Sequence, residues 1–193
     1  MGLANWLTVL RILLVPVFVT LLVYRRPGIA ILVFATAAVT DLLDGWVARH
    51  VGIPSRLGAF LDPLADKILL TASFVMLTWL KVLPFWITAV VLTRDAVLAL
   101  GTVLVHMVGA RVYPRPTWAG KITTFLQVLT VLVSLLGHYA WARRGWTTPV
   151  PLLWLAAGFT VISGLQYLVR GMRFLNAAQD AEREDAHERL YFR

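Results

Sequence analysis

TDLLDGWVAR, from Thr40 to Arg49, and GAFLDPLADK, from Gly58 to Lys67, set four aspartates into two apolar runs: Asp41, Asp44, Asp62 and Asp66. The chain has ten acidic residues; five fall in its last fourteen positions, and Asp95 is the only other one outside the motif. A carboxylate inside a membrane-spanning run is costly and is kept mainly where it has a function. At helical spacing Asp41, Asp44 and Ala48 share one face, and Gly58, Asp62 and Asp66 share another. Gly52 and Pro54 punctuate a turn between them. A helical hairpin therefore brings the two carboxylate pairs together, and four such groups at close range do not all stay ionised without cations between them. Hard divalent ions suit these oxygens. One ion satisfies some of them; two satisfy all four and match the clamp used in phosphoryl chemistry.

The surrounding chain is oily. Its 193 residues are 59% hydrophobic, with a mean hydropathy of +0.76, where a soluble domain is roughly 45–50% apolar. The excess falls in runs of about twenty residues, long enough to cross a hydrocarbon core of about 30 Å. Six spans are expected, at 8–24, 28–48, 59–80, 84–107, 118–138 and 150–170. They imply an all-α, six-helix membrane bundle over residues 1–173, with a charged cytoplasmic tail over 174–193. The first run is a poor signal peptide, since Arg11 lies inside it and no small-residue cleavage site follows. With no cysteine, disulfides and thiolate metal sites are excluded.

The net charge of +8 fits a positive-inside bias and attraction to anionic lipid. It does not fit nucleic acid, because the bases are scattered between apolar runs rather than gathered on one face. With both termini cytoplasmic, the inside carries Arg49, Arg56, Arg111, Arg115, Lys121, Arg170, Arg173 and the tail arginines. The outside carries Arg25, Arg26, Lys81, Arg143 and Arg144. Trp118, Trp141 and Trp146 fall near span ends, as an interfacial belt does. All four motif aspartates then face the cytoplasm. The tail alternates Asp180, Glu182, Glu184, Asp185 and Glu188 with Arg183, Arg189 and Arg193, a pattern that suits a solvated helix.

Small and basic residues complete the motif. Gly45 and Gly58 let a ligand approach the backbone closely, and Ala48 leaves space beside them. Arg49 can fork onto a phosphate oxygen, with Lys67 as a second counter-charge. Together these describe a site for a diphosphate and a metal. The stretch Asp41–Asp66 matches D-x-x-D-G-x-x-A-R-x8-G-x3-D-x3-D at every specified position, a coincidence on the order of 10⁻⁸ at background frequencies. In this it resembles the CDP-alcohol phosphotransferases (CDP-alcohol phosphatidyltransferases). Asn5-x-Leu7-Thr8-x-x-Arg11, Leu61–Lys67, Arg94-Asp95 and Gly120-Lys121 extend the likeness over Asn5 to Gln127.

The resemblance implies six-span homodimers of the bacterial-type inner or plasma membrane whose site opens to the cytosol. They cleave a CDP-linked lipid such as CDP-diacylglycerol, release CMP and pass the phosphatidyl group to an alcohol. It implies metal ligation, by Mg²⁺ or Mn²⁺ and as two ions, at Asp41, Asp44, Asp62 and Asp66, with Asp66 also the general base on the acceptor hydroxyl. Gly45, Ala48, Arg49 and Gly58 would hold the CDP portion. For the acceptor, Arg94, Lys121 and Arg111 are the candidate contacts. Glycerol 3-phosphate is the leading acceptor. Members of the family that use it typically carry a second arginine after the first and a second lysine in G-K-x-K-T, and this chain lacks both. Phosphatidylglycerol, the acceptor in cardiolipin synthesis, is the alternative; an inositol phosphate or serine stands behind these two. Two other readings of the aspartates are weaker. Structural ion pairing would need more bases nearby, and an ion-coupled transporter would place its charges near the midplane rather than at one face.

Overall fold

The computed structural model describes residues 3–51, 56–107, 118–141 and 148–191, with side chains over 9–40, 67–101, 103, 118–140 and 148–172. These residues form six α-helices: α1 (Leu3–Val23), α2 (Pro27–Val51), α3 (Arg56–Trp79), α4 (Phe85–Met107), α5 (Trp118–Trp141) and α6 (Val150–Tyr191). Each expected span is matched by one helix, and most of the helices overrun their span at one end or both. The backbone stays helical past the apolar run because leaving hydrocarbon changes the solvent of the side chains, not the need to pair N–H with C=O. α1 begins five residues before its expected span. α6 runs unbroken through Arg173 for 42 residues, so the tail is helical, as its charge alternation suggests, and continuous with the last apolar helix.

Neighbouring contacts run α1, α2, α5, α6, α4, α3 and back to α1, with α3 and α5 also touching across the middle. α3, which carries Asp62 and Asp66, thus packs against α1, α4 and α5. The core stripes follow the helical period: Val15, Phe18 and Leu22 on α1, Ala30, Phe34 and Ala37 on α2, Leu70, Phe74 and Leu77 on α3. The Phe18 and Phe34 rings meet at 5.8 Å and set the register of α1 against α2.

Alongside this apolar core, several polar side chains are buried and many large apolar ones are exposed. Arg11, Arg94, Gln127, Ser134, Thr160 and Ser163 are buried, while Leu13, Leu32, Leu100, Phe125 and Trp154 are largely exposed. So many exposed large apolar side chains suit contact with lipid better than with water. Among the described residues, Trp118–Ala140 and Val150–Met172 are long and apolar enough to cross a membrane; Val9–Val23, Pro27–Thr40 and Lys67–Trp79 are shorter apolar helical stretches. Lipid offers no hydrophobic drive between helices, so small residues and hydrogen bonds supply the contact. Thr123 of α5 shares its proton between the carbonyls of Ala119 and, on α6, Phe159 at 2.9 Å. Gln127 donates to Thr160 at 3.3 Å, and the Ser134 and Thr148 hydroxyls pair at 2.8 Å.

The end of the bundle away from the motif is built tightly. Arg25 and Lys81 adopt left-handed φ of 56° and 57°. Around them Arg25 N donates to Leu22 O, Arg26 N to Leu21 O, Lys81 N to Thr78 O and Val82 N to Leu77 O. This is the doubly bonded helix stop that normally uses glycine. α2 then starts on Pro27, and Pro84 and Pro149 supply the first carbonyls of α4 and α6. Proline suits a helix start because its missing N–H would be unpaired there anyway.

Candidate active site

The motif occupies the end of α2 and the start of α3, with Asp41, Asp44, Gly45, Ala48 and Arg49 on the last turns of α2 and Gly58, Asp62 and Asp66 on the first turns of α3. Their side chains lie outside the described residues, but the backbone fixes their register. The buried stripe Ala30–Phe34–Ala37 repeats at four and three residues; positions 41, 44 and 48 continue it. On α3 the buried Leu70, Ser73 and Leu77 lie on the face that positions 62 and 66 begin. Two helices separated by residues 52–55 therefore each carry two of the aspartates, at positions that continue the helical spacing of its buried stripe.

Three described cations lie on α3 or on helices packed against α2 or α3. Extending the Phe18–Phe34 register by two turns along both helices sets Arg11 level with position 41. Arg11 is 1% exposed, so its side chain faces inward rather than snorkelling to the interface. Lys67, next in chain to Asp66, forms an ion pair with Asp95 of α4. Arg94 donates from NH1 to the same Asp95 oxygen at 2.7 Å and from NH2 to Ser163 of α6 at 3.2 Å.

Adjacent residues point apart on a helix, and each of these two does reach another group, Arg94 to Ser163 and Asp95 to Lys67, while also pairing with its neighbour. The arginine is long enough to fold back, and in a low-dielectric interior an unpaired guanidinium costs more than the bent rotamer. It runs along α6 beside Gly164, where a Cβ would stand 3.5 Å from Arg94 Cγ, an ordinary contact. Of the other candidate acceptor contacts, Lys121 is exposed and its ammonium lies 5.5 Å from the centroid of Trp118, while Arg111 and Arg115 lie outside the described residues. Ser163 was not singled out in the sequence, where a lone serine among apolar residues carries little signal. Its place in the small-residue stripe Ala156, Ala157, Thr160, Ser163, Gly164 was the available clue.

Comparison with known proteins agrees with this geometry. The family model for CDP-alcohol phosphatidyltransferase matches residues 1–162. The chain is 36% identical over 182 residues to a probable phosphatidylglycerophosphate synthase of Mycobacterium tuberculosis, covering 89% of this chain and 82% of that one. It is 35% identical over 192 residues to a cardiolipin synthase (CMP-forming) of Streptomyces coelicolor, covering 90% and 84%. It is 30% identical over 193 residues to the CDP-diacylglycerol–glycerol-3-phosphate 3-phosphatidyltransferase of Bacillus subtilis, covering 92% and 98%. The chain belongs to the CDP-alcohol phosphatidyltransferase family. It is an enzyme of phosphatidyl transfer, and its apolar exterior places it with membrane-associated proteins.

Proposed function

We propose that this protein transfers the phosphatidyl group of CDP-diacylglycerol to glycerol 3-phosphate, releasing CMP. The observation that carries this is the continuation of two buried helix faces into positions 41, 44 and 48 and positions 62 and 66, at one end of the bundle. The names of the Mycobacterium and Bacillus relatives favour glycerol 3-phosphate as acceptor. The donor set, four carboxylates on two facing helix ends, suits Mg²⁺ or Mn²⁺, and two ions serve it better than one. When bound, the metal supplies positive charge at the diphosphate. Asp41, Asp44, Asp62 and Asp66 hold it; Asp66 also accepts the proton of the acceptor hydroxyl. Gly45, Ala48 and Gly58 leave room for the CDP backbone, and Arg49 donates to its phosphates.

Six crossings, both termini cytoplasmic, and a homodimer complete the proposal. Exposed Trp118 and Tyr139 on α5 are separated by roughly 32 Å of helix at 1.5 Å per residue, close to the hydrocarbon thickness of about 30 Å. Lys121 beside Trp118 is then an interfacial anchor at the cytoplasmic end, and Arg170 and Arg173 lie at that same end.

One observation favours a second acceptor, phosphatidylglycerol. Two guanidinium nitrogens of Arg94 bond to Asp95 and Ser163, which leaves fewer bases for a terminal phosphate, and the Streptomyces relative is named a cardiolipin synthase. Purified protein given CDP-diacylglycerol, Mg²⁺ and either acceptor distinguishes them. Phosphatidylglycerol phosphate as product supports the first reading; cardiolipin supports the second. Absence of CMP release with either acceptor, together with ion movement in vesicles, would overturn both.

A further inference from the structure

Lys67, Asp95, Arg94 and Ser163 form one connected chain across α3, α4 and α6. Side-chain exposure falls along it, from 40% at Lys67 to 12% at Asp95 and 7% at Arg94, and Ser163 is fully buried. A buried ion pair is weak evidence for stability, because desolvation offsets most of the attraction. Here the buried members hold an exposed one, and that one follows Asp66 directly in the chain. Reacting groups need their charged neighbours fixed by a supporting shell on rigid elements. Asp95 is the joint of that shell: one of its oxygens takes both the Arg94 guanidinium and the Lys67 ammonium.

We propose that Asp95 is a positioning residue for phosphatidyl transfer: anchored by Arg94 and Ser163, it fixes the Lys67 ammonium beside the turn of α3 that carries Asp66. It thereby fixes where a positive charge stands beside the motif carboxylates. This rests on the proposed role of Asp66. A unit charge released from its partner beside a carboxylate competes with any other cation for it. Arg94, on this account, serves the site through Asp95 rather than by touching the acceptor.

The test is a double-mutant cycle on purified full-length protein, assayed by CMP release below the melting temperature of every variant. A parallel thermal-shift titration with Mg²⁺ is read without substrate. Asp95→Asn keeps the size and an acceptor for Arg94 but removes the charge that holds Lys67. It is expected to lower kcat about tenfold with little change in KM, and to move the Mg²⁺ midpoint severalfold. Lys67→Gln lowers kcat comparably, the double variant is no worse than the poorer single one, and Asp95→Glu recovers most of the loss. Losses that multiply to about a hundredfold in the double variant would mean that Asp95 acts through some other group. The proposal also fails if Asp95→Asn lowers only the melting temperature and leaves kcat and the Mg²⁺ midpoint unchanged, which is the signature of a structural pair. A wild-type protein that releases no CMP would sink the transfer reading itself and this proposal with it; wild-type turnover with multiplicative losses sinks only the proposal.

Discussion

Gly164 offers a perturbation whose sign should reverse with side-chain size. It lies inside α6, where glycine costs about 1 kcal/mol relative to alanine. A Cβ built there meets Arg94 Cγ at 3.5 Å and Arg94 Cβ at 4.0 Å, which is ordinary contact. Gly164→Ala is therefore expected to stabilise by about 1 kcal/mol. At this chain length that corresponds to roughly 2–4 °C in melting temperature. In lipid the added methyl gains little further from burial, so the helix term stands nearly alone. Gly164→Leu places three more carbons where Arg94 runs. Overpacking costs about 1–3 kcal/mol, and displacing the guanidinium from Ser163 and Asp95 costs about 1.5–3 kcal/mol more. A net loss of about 2–5 kcal/mol is expected, with CMP release falling alongside it. Melting in detergent and CMP release from CDP-diacylglycerol measure both. A destabilising alanine would show that α4 and α6 pack more closely than 3.5 Å allows. A neutral leucine would show that Arg94 does not lie against α6, and the chain from Ser163 to Lys67 would lose its anchor.

Other expectations follow from single contacts. Lys81→Gly relieves a left-handed residue at φ 57° and should raise stability by about 0.5–1 kcal/mol, the strain relieved less the entropy glycine adds to the unfolded chain; a lower melting temperature would mean that the lysine side chain contributes there. Thr160→Val takes the acceptor from the buried Gln127 amide and should cost about 1–3 kcal/mol, whereas Gln127→Leu removes the needy group itself and should be close to neutral; equal losses in melting would contradict this. Asp66→Asn should abolish CMP release while retaining much of the Mg²⁺-induced thermal shift, and Asp62→Asn should weaken that shift as well; near-normal turnover in Asp66→Asn would remove it as the base.

Hydropathy made the six helices legible because lipid imposes one rule on every crossing segment: apolar outside, backbone bonds satisfied within. The same rule hides where a helix stops. α6 reaches Tyr191 because alanine, glutamate and arginine favour helix as well as leucine does, and hydropathy registers only their solvent. The motif was legible because its aspartates recur at helical spacing, so two faces could be drawn before any coordinates. The network behind them was not. Lys67, Asp95 and Ser163 are far apart in sequence, and nothing in one chain says that α3, α4 and α6 meet at that level. The Arg94–Asp95 pair ran against the spacing rule that served elsewhere, since that rule describes Cβ directions and an arginine reaches well beyond its own Cβ.

α6 has a mechanical consequence as well. Its 42 residues span roughly 63 Å at 1.5 Å per residue, about twice the thickness of a hydrocarbon core. With Val150–Met172 in lipid, roughly 30 Å of the same rod stands clear on the motif side. No break in the backbone separates that projecting arm from Ser163, the buried end of the chain that reaches Lys67. A lateral push at Tyr191 therefore acts as torque on a lever whose short arm carries Ser163 and, through it, Arg94.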